Sequence, residues 1–205
     1  MYVRKFHRIC VFCGSSVGNE PAYVDAAERL GATLAEQGIG LVYGGGCVGL
    51  MGVVADSVLK HAGEVIGVIP RFMIDSEVAH AGLTDLRVVN SMHERKAMMA
   101  ELSDGFIALP GGFGTIEELM EIVTWSQLGL HDKPVALLNV GGFFDDLSRL
   151  IDRMVSASLL RVENRALLIE AESVPECLEA MALTESVPVP KWLKQGAKSN
   201  IEKLT

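Results

Sequence analysis

Two short stretches of this chain combine residue types that can do chemistry. Residues 92–96 read Met-His-Glu-Arg-Lys and carry two adjacent cations, Arg95 and Lys96. Residues 110–118 place three glycines within four positions, followed by a hydroxyl and two carboxylates. After Pro110 this stretch consists of Gly111, Gly112, Phe113, Gly114, Thr115, Ile116, Glu117 and Glu118. A carboxylate and a guanidinium beside an anion anchor suit cleavage of a glycosidic bond on a nucleoside monophosphate, because the carboxylate can stabilise an oxocarbenium-like transition state or activate water.

The anion anchor is expected from the elements around the glycines. Residues 105–109 form an apolar run that predicts a buried parallel strand, and Pro110 ends it because proline cannot donate to a ladder. Thr115 is predicted to open a helix with Glu117 and Glu118 in its first turn. A strand, a glycine turn and a helix start aim free backbone N–H groups at an anion, usually a phosphate. The alternative is a tight turn that needs glycine for its shape alone.

The helix predicted over residues 115–128 has two apolar faces on a helical wheel. The face expected to pack on the sheet carries Ile116, Leu119, Met120 and Val123. The opposite face carries Glu118, Glu121, Ile122 and Trp125. Because a solvated helix would not normally place Trp and Ile outward, a second copy of the chain is expected to cover this face. Scattered surface apolar residues are the alternative.

The two cations lie at the start of another predicted helix. Ser91 has the position of an N-cap, and Glu94 follows three residues later, which is the capping-box pattern for a helix over residues 92–102. This helix and the one after the glycines begin at the same edge of a parallel sheet. Arg95 is therefore expected to face the site, with a solvated charged helix face as the alternative.

Two further glycine turns are predicted at the same edge. A strand over residues 8–13 runs into Gly14 and Ser15, which can offer N–H and hydroxyl groups to a ligand. A second strand, over residues 39–43, runs into another turn. This turn comprises Gly44, Gly45 and Gly46. Close packing of a helix on a strand is the alternative explanation of these glycines.

A long loop is predicted over residues 71–84, which show neither a helical nor a strand period. Loops of this length at the carboxyl edge of a sheet often carry function. Its candidate functional residues are Glu77 and His80.

Strands and helices alternate along the whole chain. Besides those above, strands are predicted at 64–69, 86–89, 134–139 and 166–170, and helices at 21–37, 48–63, 143–157 and 175–182. This alternation predicts an α/β fold, a doubly wound Rossmann-like parallel sheet of about six or seven strands flanked by helices. Residues 1–183 are expected to form one nucleotide-binding domain, followed by a C-terminal arm at 184–205.

The bulk composition excludes several classes of function. The chain has 205 residues, 49% of them hydrophobic, and a formal net charge of −8, which disfavours a partner that is a nucleic acid. No apolar run is long enough to span a membrane, and the start lacks a signal-peptide pattern, so a cytoplasmic protein is expected. The four cysteines are expected to be reduced and buried, since Cys10 and Cys13 would point to opposite faces of one strand. No metal or cofactor is expected.

Common catalytic motifs do not occur in the sequence. The turn after the first strand lacks the GxGxxG dinucleotide fingerprint, and no GxxxxGK[ST] phosphate loop occurs anywhere. The nucleophile elbow GxSxG and the metal-binding HExxH are also missing. A carboxylate and a guanidinium beside a phosphate anchor remain as the candidate chemistry.

The two opening stretches also carry a family resemblance. Residues 110–118 match the pattern PGGxGTxxE, and residues 92–96 match MHxRK. With residues 124–134 and the turn at 43–46, they resemble the LONELY GUY (LOG) family, the cytokinin riboside 5′-monophosphate phosphoribohydrolases. The similarity runs from about residue 8 to residue 182 and does not cover the C-terminal arm.

The resemblance implies a homodimer that hydrolyses AMP or an N6-substituted AMP to the free base and ribose 5-phosphate. Arg95 and Glu118 match the family's catalytic pair. Substrate-binding residues are expected at Glu77, Met92, Lys96, Gly111, Gly112, Phe113, Gly114, Thr115, Ile116, Glu117 and Thr124. Gly14, Ser15, Gly44 and Gly45 in the other glycine turns are also expected to bind the substrate. Phe113 stands where tyrosine is frequent in the family, which removes a hydroxyl.

Two other functions are compatible with the same fold. One is a non-catalytic carrier of a nucleotide or of the molybdenum cofactor, and the other is a DNA-processing module, which the acidic balance disfavours. Relatives in this family have often been labelled lysine decarboxylases. No lysine of this sequence is placed as an anchor for pyridoxal phosphate.

Overall fold

A seven-stranded sheet, all of it parallel, forms the centre of the protein in a computed structural model that describes residues 3–74 and 79–184. Within those ranges the strand order is β4-β3-β2-β1-β5-β6-β7. The strands are β1 (Arg8–Phe12), β2 (Gly40–Tyr43), β3 (Val65–Pro70), β4 (Asp85–Val89), β5 (Gly105–Ala108), β6 (Val135–Leu138) and β7 (Leu168–Ala171). The predicted doubly wound α/β architecture is confirmed.

Seven α-helices of the described chain cover the two faces of the sheet. They are α1 (Pro21–Glu36), α2 (Gly49–Lys60), α3 (Met92–Leu102), α4 (Phe113–Gln127), α5 (Asp145–Ser156), α6 (Val162–Arg165) and α7 (Val174–Leu183). Helices α1, α2 and α7 pack on one face, and α3, α4 and α5 pack on the other. Among these helices none is long and apolar enough to cross a bilayer.

The strand order reverses between β1 and β5, which are neighbours in the middle of the sheet. Phe12 pairs with Ala108 at the carboxyl ends of these strands. Just beyond them, the N–H of Gly14 donates to the carbonyl of Pro110 at 3.1 Å. The turns that follow β1 and β5 therefore meet at the switch point, where open α/β sheets bind their ligands.

The two hydrophobic cores explain the behaviour of the cysteines. Cys10 is buried in the core under α3 and α4, whereas Cys13 is buried in the core under α1 and α2. The prediction that they point to opposite faces is confirmed. Cys177 is also buried, but Cys47 is exposed in the turn before α2, so the prediction that all four thiols are buried is wrong for Cys47.

The cap predicted for α3 is present with one difference. The hydroxyl of Ser91 accepts from the N–H of Glu94 at 3.1 Å. The carboxylate of Glu94 reaches back one residue further than in a standard capping box and accepts from the N–H of Asn90 at 2.7 Å. Both contacts fix the start of the helix that carries the two cations.

Helix α4 begins two residues earlier than predicted, at Phe113. Gly112 is its N-cap with an extended backbone, so Thr115 completes the first turn and the two following carboxylates lie in the second turn. The prediction of Glu117 and Glu118 in the first turn is wrong, because the glycine-rich segment itself adopts helical geometry. The free N–H groups of the first turn belong to residues 113–115.

The buried face of α4 is rotated from the predicted one. Its buried residues are Thr115, Leu119, Ile122 and Ser126. Ile122 was predicted on an outward face, but it is 2% exposed and lies in the protein's own core. The wheel counted only apolar side chains, whereas the small polar Thr115 and Ser126 are also buried. Ile116, Met120 and Val123 are left half-buried.

The loop predicted over residues 71–84 and the last strand differ from what the sequence predicted. The long loop opens with a short 3₁₀ helix, Arg71–Met73, and Ala79 forms an isolated antiparallel bridge with Gly46. Glu77 lies outside the described residues, as does most of the predicted arm at 184–205. The last strand begins at Leu168 rather than at residue 166, because the short helix α6 occupies the preceding residues.

Candidate active site

The glycine turns after β1 and β5 pack directly on one another. A Cβ added to Gly14 would lie 3.4 Å from Gly111 Cα, and a Cβ on Gly111 would lie 2.1 Å from Thr115 Oγ1. Gly111 is thus required by the close approach of the buried Thr115 side chain. In contrast, a Cβ at Gly112 or Gly114 meets nothing within 4 Å. These two glycines border open space at the N-terminus of α4.

A cavity of about 330 Å³ lies against these turns. Residues 14–19 after β1 and residues 110–112 after β5 form its polar side. Tyr23, Leu50 and Phe143 form its apolar side. The cavity therefore joins backbone N–H groups and serine hydroxyls to the N-terminus of α4, which is the environment that favours a phosphate.

Arg95 of α3 is buried against the second turn of α4. Its Nε donates to the carbonyl of Val68 at 3.1 Å, and its Nη2 donates to the carbonyl of Gly44 at 3.2 Å. Nη1 lies 3.6 Å from Glu118 Oε1, and the two side chains are 7% and 12% exposed. The structure therefore brings the predicted guanidinium and carboxylate together, with the guanidinium anchored on the ends of β2 and β3.

Gly44 has a steric role in this arrangement. A Cβ at this position would lie 2.1 Å from Arg95 Nη2, which is far inside van der Waals contact. Gly45 instead packs on β3, where its Cβ would lie 3.3 Å from Ile69 Cβ. The turn after β2 thus leaves room for the guanidinium at Gly44, while the close-packing explanation fits Gly45.

Lys96 is the second buried cation, and it contacts two carboxylates of α4. Its Nζ forms an ion pair with Glu117 Oε1 and another with Glu121 Oε2 at 2.9 Å. Burial acts to lower the pKa of Lys96, but the hydrogen bonds to Glu117 and Glu121 outweigh it and the pKa is raised. Lys96 is therefore a fixed positive charge at neutral pH.

The sequence interpretation did not include Glu121 among the site residues. Glu117 and Glu121 are four residues apart on α4, so both carboxylates face the Lys96 ammonium. Glu121 is the less exposed of the two, with 23% of its side chain accessible against 55% for Glu117. The four-residue spacing was the sequence signal that could have identified it.

Other predicted site residues have less direct contact with Arg95 and Glu118, or none. Met92 Sδ lies 4.0 Å from Arg95 Nη1, and Phe113 is 97% exposed at the start of α4. Thr124 is exposed, and its hydroxyl donates to the Met120 carbonyl at 2.7 Å. His80 contacts Asp56 of α2 at 2.9 Å, so it anchors the end of the loop on that helix.

The buried cysteines next to the site are not nucleophiles. Burial, followed by the charge of Glu118, raises the pKa of both Cys10 and Cys13 well above the usual range for a thiol. Both side chains are therefore protonated at neutral pH. Among the described residues no group of three or more His, Cys, Asp or Glu side chains could hold a metal ion.

Comparison with known proteins identifies the family of this chain. A family model described as possible lysine decarboxylase matches residues 51–181. The probable cytokinin riboside 5′-monophosphate phosphoribohydrolase LOGL1 of Oryza sativa subsp. japonica is 50% identical over 177 residues, which cover 86% of this chain and 79% of that protein. The chain belongs to the LOG family.

A second LOG relative extends the match to nearly the whole chain. The cytokinin riboside 5′-monophosphate phosphoribohydrolase LOG1 of Arabidopsis thaliana is 48% identical over 198 residues, which cover 97% of this chain and 91% of that protein. The two opening stretches of the sequence therefore predicted the family correctly.

Solved structures share the LOG fold at lower identity. A molybdenum cofactor binding protein from Rippkaea orientalis superposes with a TM-score of 0.64 at 24% identity, covering 86% of this chain and 95% of that one. A molybdenum cofactor carrier protein from Chlamydomonas reinhardtii gives a TM-score of 0.63 at 21% identity, covering 84% and 93%. At such identities the likeness concerns the fold alone.

Proposed function

We propose that this protein hydrolyses the N-glycosidic bond of cytokinin riboside 5′-monophosphates, with AMP as a further substrate, to the free base and ribose 5-phosphate. The observation that carries the proposal is the buried Arg95–Glu118 pair, 3.6 Å apart beside the N-terminus of α4. The sequence identity of about half to LOG proteins supports the same activity.

The proposed reaction begins with the 5′-phosphate on the first N–H groups of α4. The helix dipole and the unpaired N–H groups of residues 113–115 favour its negative charge. Gly112 and Gly114 leave open space there, and the Thr115 hydroxyl and Ser15 border the same turns. An anchored phosphate fixes the ribose, so that its anomeric carbon lies within reach of the Arg95–Glu118 pair.

Glu118 is the proposed catalytic carboxylate. As the C1′–N9 bond breaks, positive charge develops on the ribose ring, and a nearby carboxylate stabilises it. The oxygen of a water molecule bonds to C1′ as the C1′–N9 bond breaks, Glu118 takes one proton from that water, and the proton is then returned to the departing base. Arg95 orients Glu118 and balances the negative charge that builds up on the base.

The test of this function is direct. Purified protein incubated with AMP or with N6-isopentenyl AMP should release adenine or isopentenyladenine together with ribose 5-phosphate, measured by liquid chromatography. Release from the prenylated substrate at the higher rate would identify a cytokinin enzyme. Folded protein that binds both nucleotides tightly and releases no base would refute the proposal and favour a carrier.

A first prediction concerns Glu121, which forms an ion pair with Lys96. Glu121→Gln removes one of the two charges that fix the Lys96 ammonium, and we expect KM for AMP to rise by roughly fivefold, equivalent to about 1 kcal/mol of binding. The turnover number should change less, because the Arg95–Glu118 contact is retained. Steady-state kinetics measure both values. Glu101→Gln, an exposed carboxylate on α3, is the matched control and should leave KM unchanged.

We further propose that the active form is a homodimer joined through α4. Ile116, Met120 and Val123 support it, because they pack against the protein's own core yet keep part of their apolar surface accessible on the helix that begins with the exposed Phe113. Analytical ultracentrifugation should give a mass near twice the 22.1 kDa of one chain. Met120→Asp should shift the protein toward monomer, and a monomeric wild-type protein with full activity would contradict the dimer.

A reducing compartment, the cytoplasm, is the proposed location. Four free cysteines support it, three of them buried with no disulfide between described residues. Disulfides persist mainly in oxidising compartments. Fractionation of cells with an antibody against the native protein tests this location.

A further inference from the structure

An aromatic pair lines the cavity at the switch point. The rings of Tyr23 and Phe143 meet edge to face, with centroids 5.8 Å apart and planes at 80°. Tyr23 comes from the first turn of α1, and Phe143 comes from the loop after β6. Leu50 of α2 lies with them on the same side of the cavity. All three line the cavity together with the glycine turns, and Tyr23 packs against Gly18 of the turn after β1.

The position of Phe143 is fixed by its neighbours. Gly141 and Gly142 have φ values of 61° and 73°, which turn the chain sharply after β6. Phe144, which follows Phe143, is 1% exposed, and its N–H donates to Asn139 Oδ1 at 2.7 Å. The rings of Phe143 and Phe144 pack edge to face at 4.9 Å. Phe143 therefore stands on a buried residue and is 39% exposed toward the cavity side.

The described lining of the cavity offers dipoles and hydroxyl groups but no positively charged side chain. Among the described residues that line it, none is a lysine or an arginine. Its polar groups are the backbone and hydroxyls of residues 14–19 and the turn at 110–112. Such groups suit one phosphoryl group at the N-terminus of α4, but they leave a second one without a cation.

The direction of the substrate follows from the two ends of the site. Arg95 and Glu118 contact one another near Gly44, and neither lines the cavity. With the anomeric carbon at that pair and the 5′-phosphate on α4, any group beyond the phosphate points toward Tyr23 and Phe143. An additional phosphoryl group there would meet two aromatic side chains and no cation, so it would lose hydrating water without gaining an ion pair.

We propose that Tyr23 and Phe143 are specificity-determining residues that restrict the substrate to nucleoside 5′-monophosphates. They do so by closing the phosphate end of the cavity with apolar surface, so that a 5′-diphosphate cannot seat its first phosphate on α4. This inference rests on the proposed function, and it assigns the choice of phosphate number to two side chains outside the PGGxGTxxE and MHxRK stretches.

The experiment compares kcat/KM for AMP and for ADP freed of AMP. We expect the wild-type protein to prefer AMP strongly, and the AMP-to-ADP ratio to narrow by about tenfold or more in Phe143→Ala and in Tyr23→Ala. The change should come from a lower KM for ADP. Tyr23→Phe keeps the ring and should keep the wild-type ratio. Phe72→Ala removes a ring that is 65% exposed on the 3₁₀ helix and is the matched control.

Two outcomes would overturn the proposal. One is an unchanged AMP-to-ADP ratio in both alanine variants when circular dichroism shows the wild-type melting temperature. The other is a wild-type protein that hydrolyses ADP as well as AMP. If Phe143→Ala is unstable, Tyr23→Ala provides the comparison. If the wild-type protein hydrolyses neither nucleotide, the proposed function fails, and calorimetric affinities for AMP and ADP in the same variants still test the pocket.

Discussion

Replacing Glu118 by glutamine is expected to lower the turnover number for base release by roughly 10³-fold. Glutamine keeps the size of the side chain, but it can neither take a proton from water nor balance positive charge on the ribose. The Glu118 side chain is only 12% exposed and lies 3.6 Å from Arg95, so little bulk water can replace its carboxylate. Single-turnover release of adenine from AMP measures the effect.

Binding separates this loss from unfolding. Glu118→Gln leaves the first turn of α4 intact, so calorimetry should still detect AMP with an affinity near that of the wild-type protein. Glu101→Gln, which removes an exposed carboxylate from α3, should retain wild-type turnover. A Glu118→Gln variant that turns over AMP at the wild-type rate would exclude this carboxylate from the mechanism.

The second large effect is expected from Gly44→Ala, a change of one methyl group. The new Cβ would lie 2.1 Å from Arg95 Nη2, so the guanidinium must move away from the Gly44 carbonyl. A displacement of about 1 Å in a catalytic group can cost 10²-fold, and we expect kcat/KM to fall by about that factor. Steady-state kinetics with AMP provide the measurement.

Gly44→Ala should also reduce stability, because the displaced guanidinium loses hydrogen bonds in a buried position. Gly114→Ala is the matched control for folding: its Cβ meets nothing within 4 Å, and alanine is favoured over glycine inside a helix. Thermal unfolding should therefore occur earlier in Gly44→Ala and no earlier in Gly114→Ala. Wild-type kinetics in Gly44→Ala would show that Arg95 tolerates displacement.

The sequence predicted the sheet and the central pair of the site because both have strong local signals. Short apolar runs ended by glycine or proline identify buried parallel strands, and the helices between them force a parallel sheet. A parallel sheet places both helix starts at one edge, which brings Arg95 close to Glu118. The structure confirms this contact, and the catalytic roles of the two residues stay predictions.

The rest of the site depends on packing that no local pattern contains. The buried face of α4 includes Thr115 and Ser126, which a hydrophobic wheel does not count. Tyr23 and Phe143 become neighbours only because α1 and the loop after β6 converge on one cavity. Thr124 was expected at the substrate from resemblance alone, and its placement on the exposed side of α4 leaves that role untested.

The reversal of strand order has a consequence for synthesis of the protein. β1 lies in the middle of the sheet, yet its neighbour β5 is made about a hundred residues later, at Gly105–Ala108. Until that segment leaves the ribosome, the nascent chain exposes the whole backbone edge of its first strand, where another chain could pair with it. Chaperones that shield this edge during translation would therefore be expected to raise the yield of this protein.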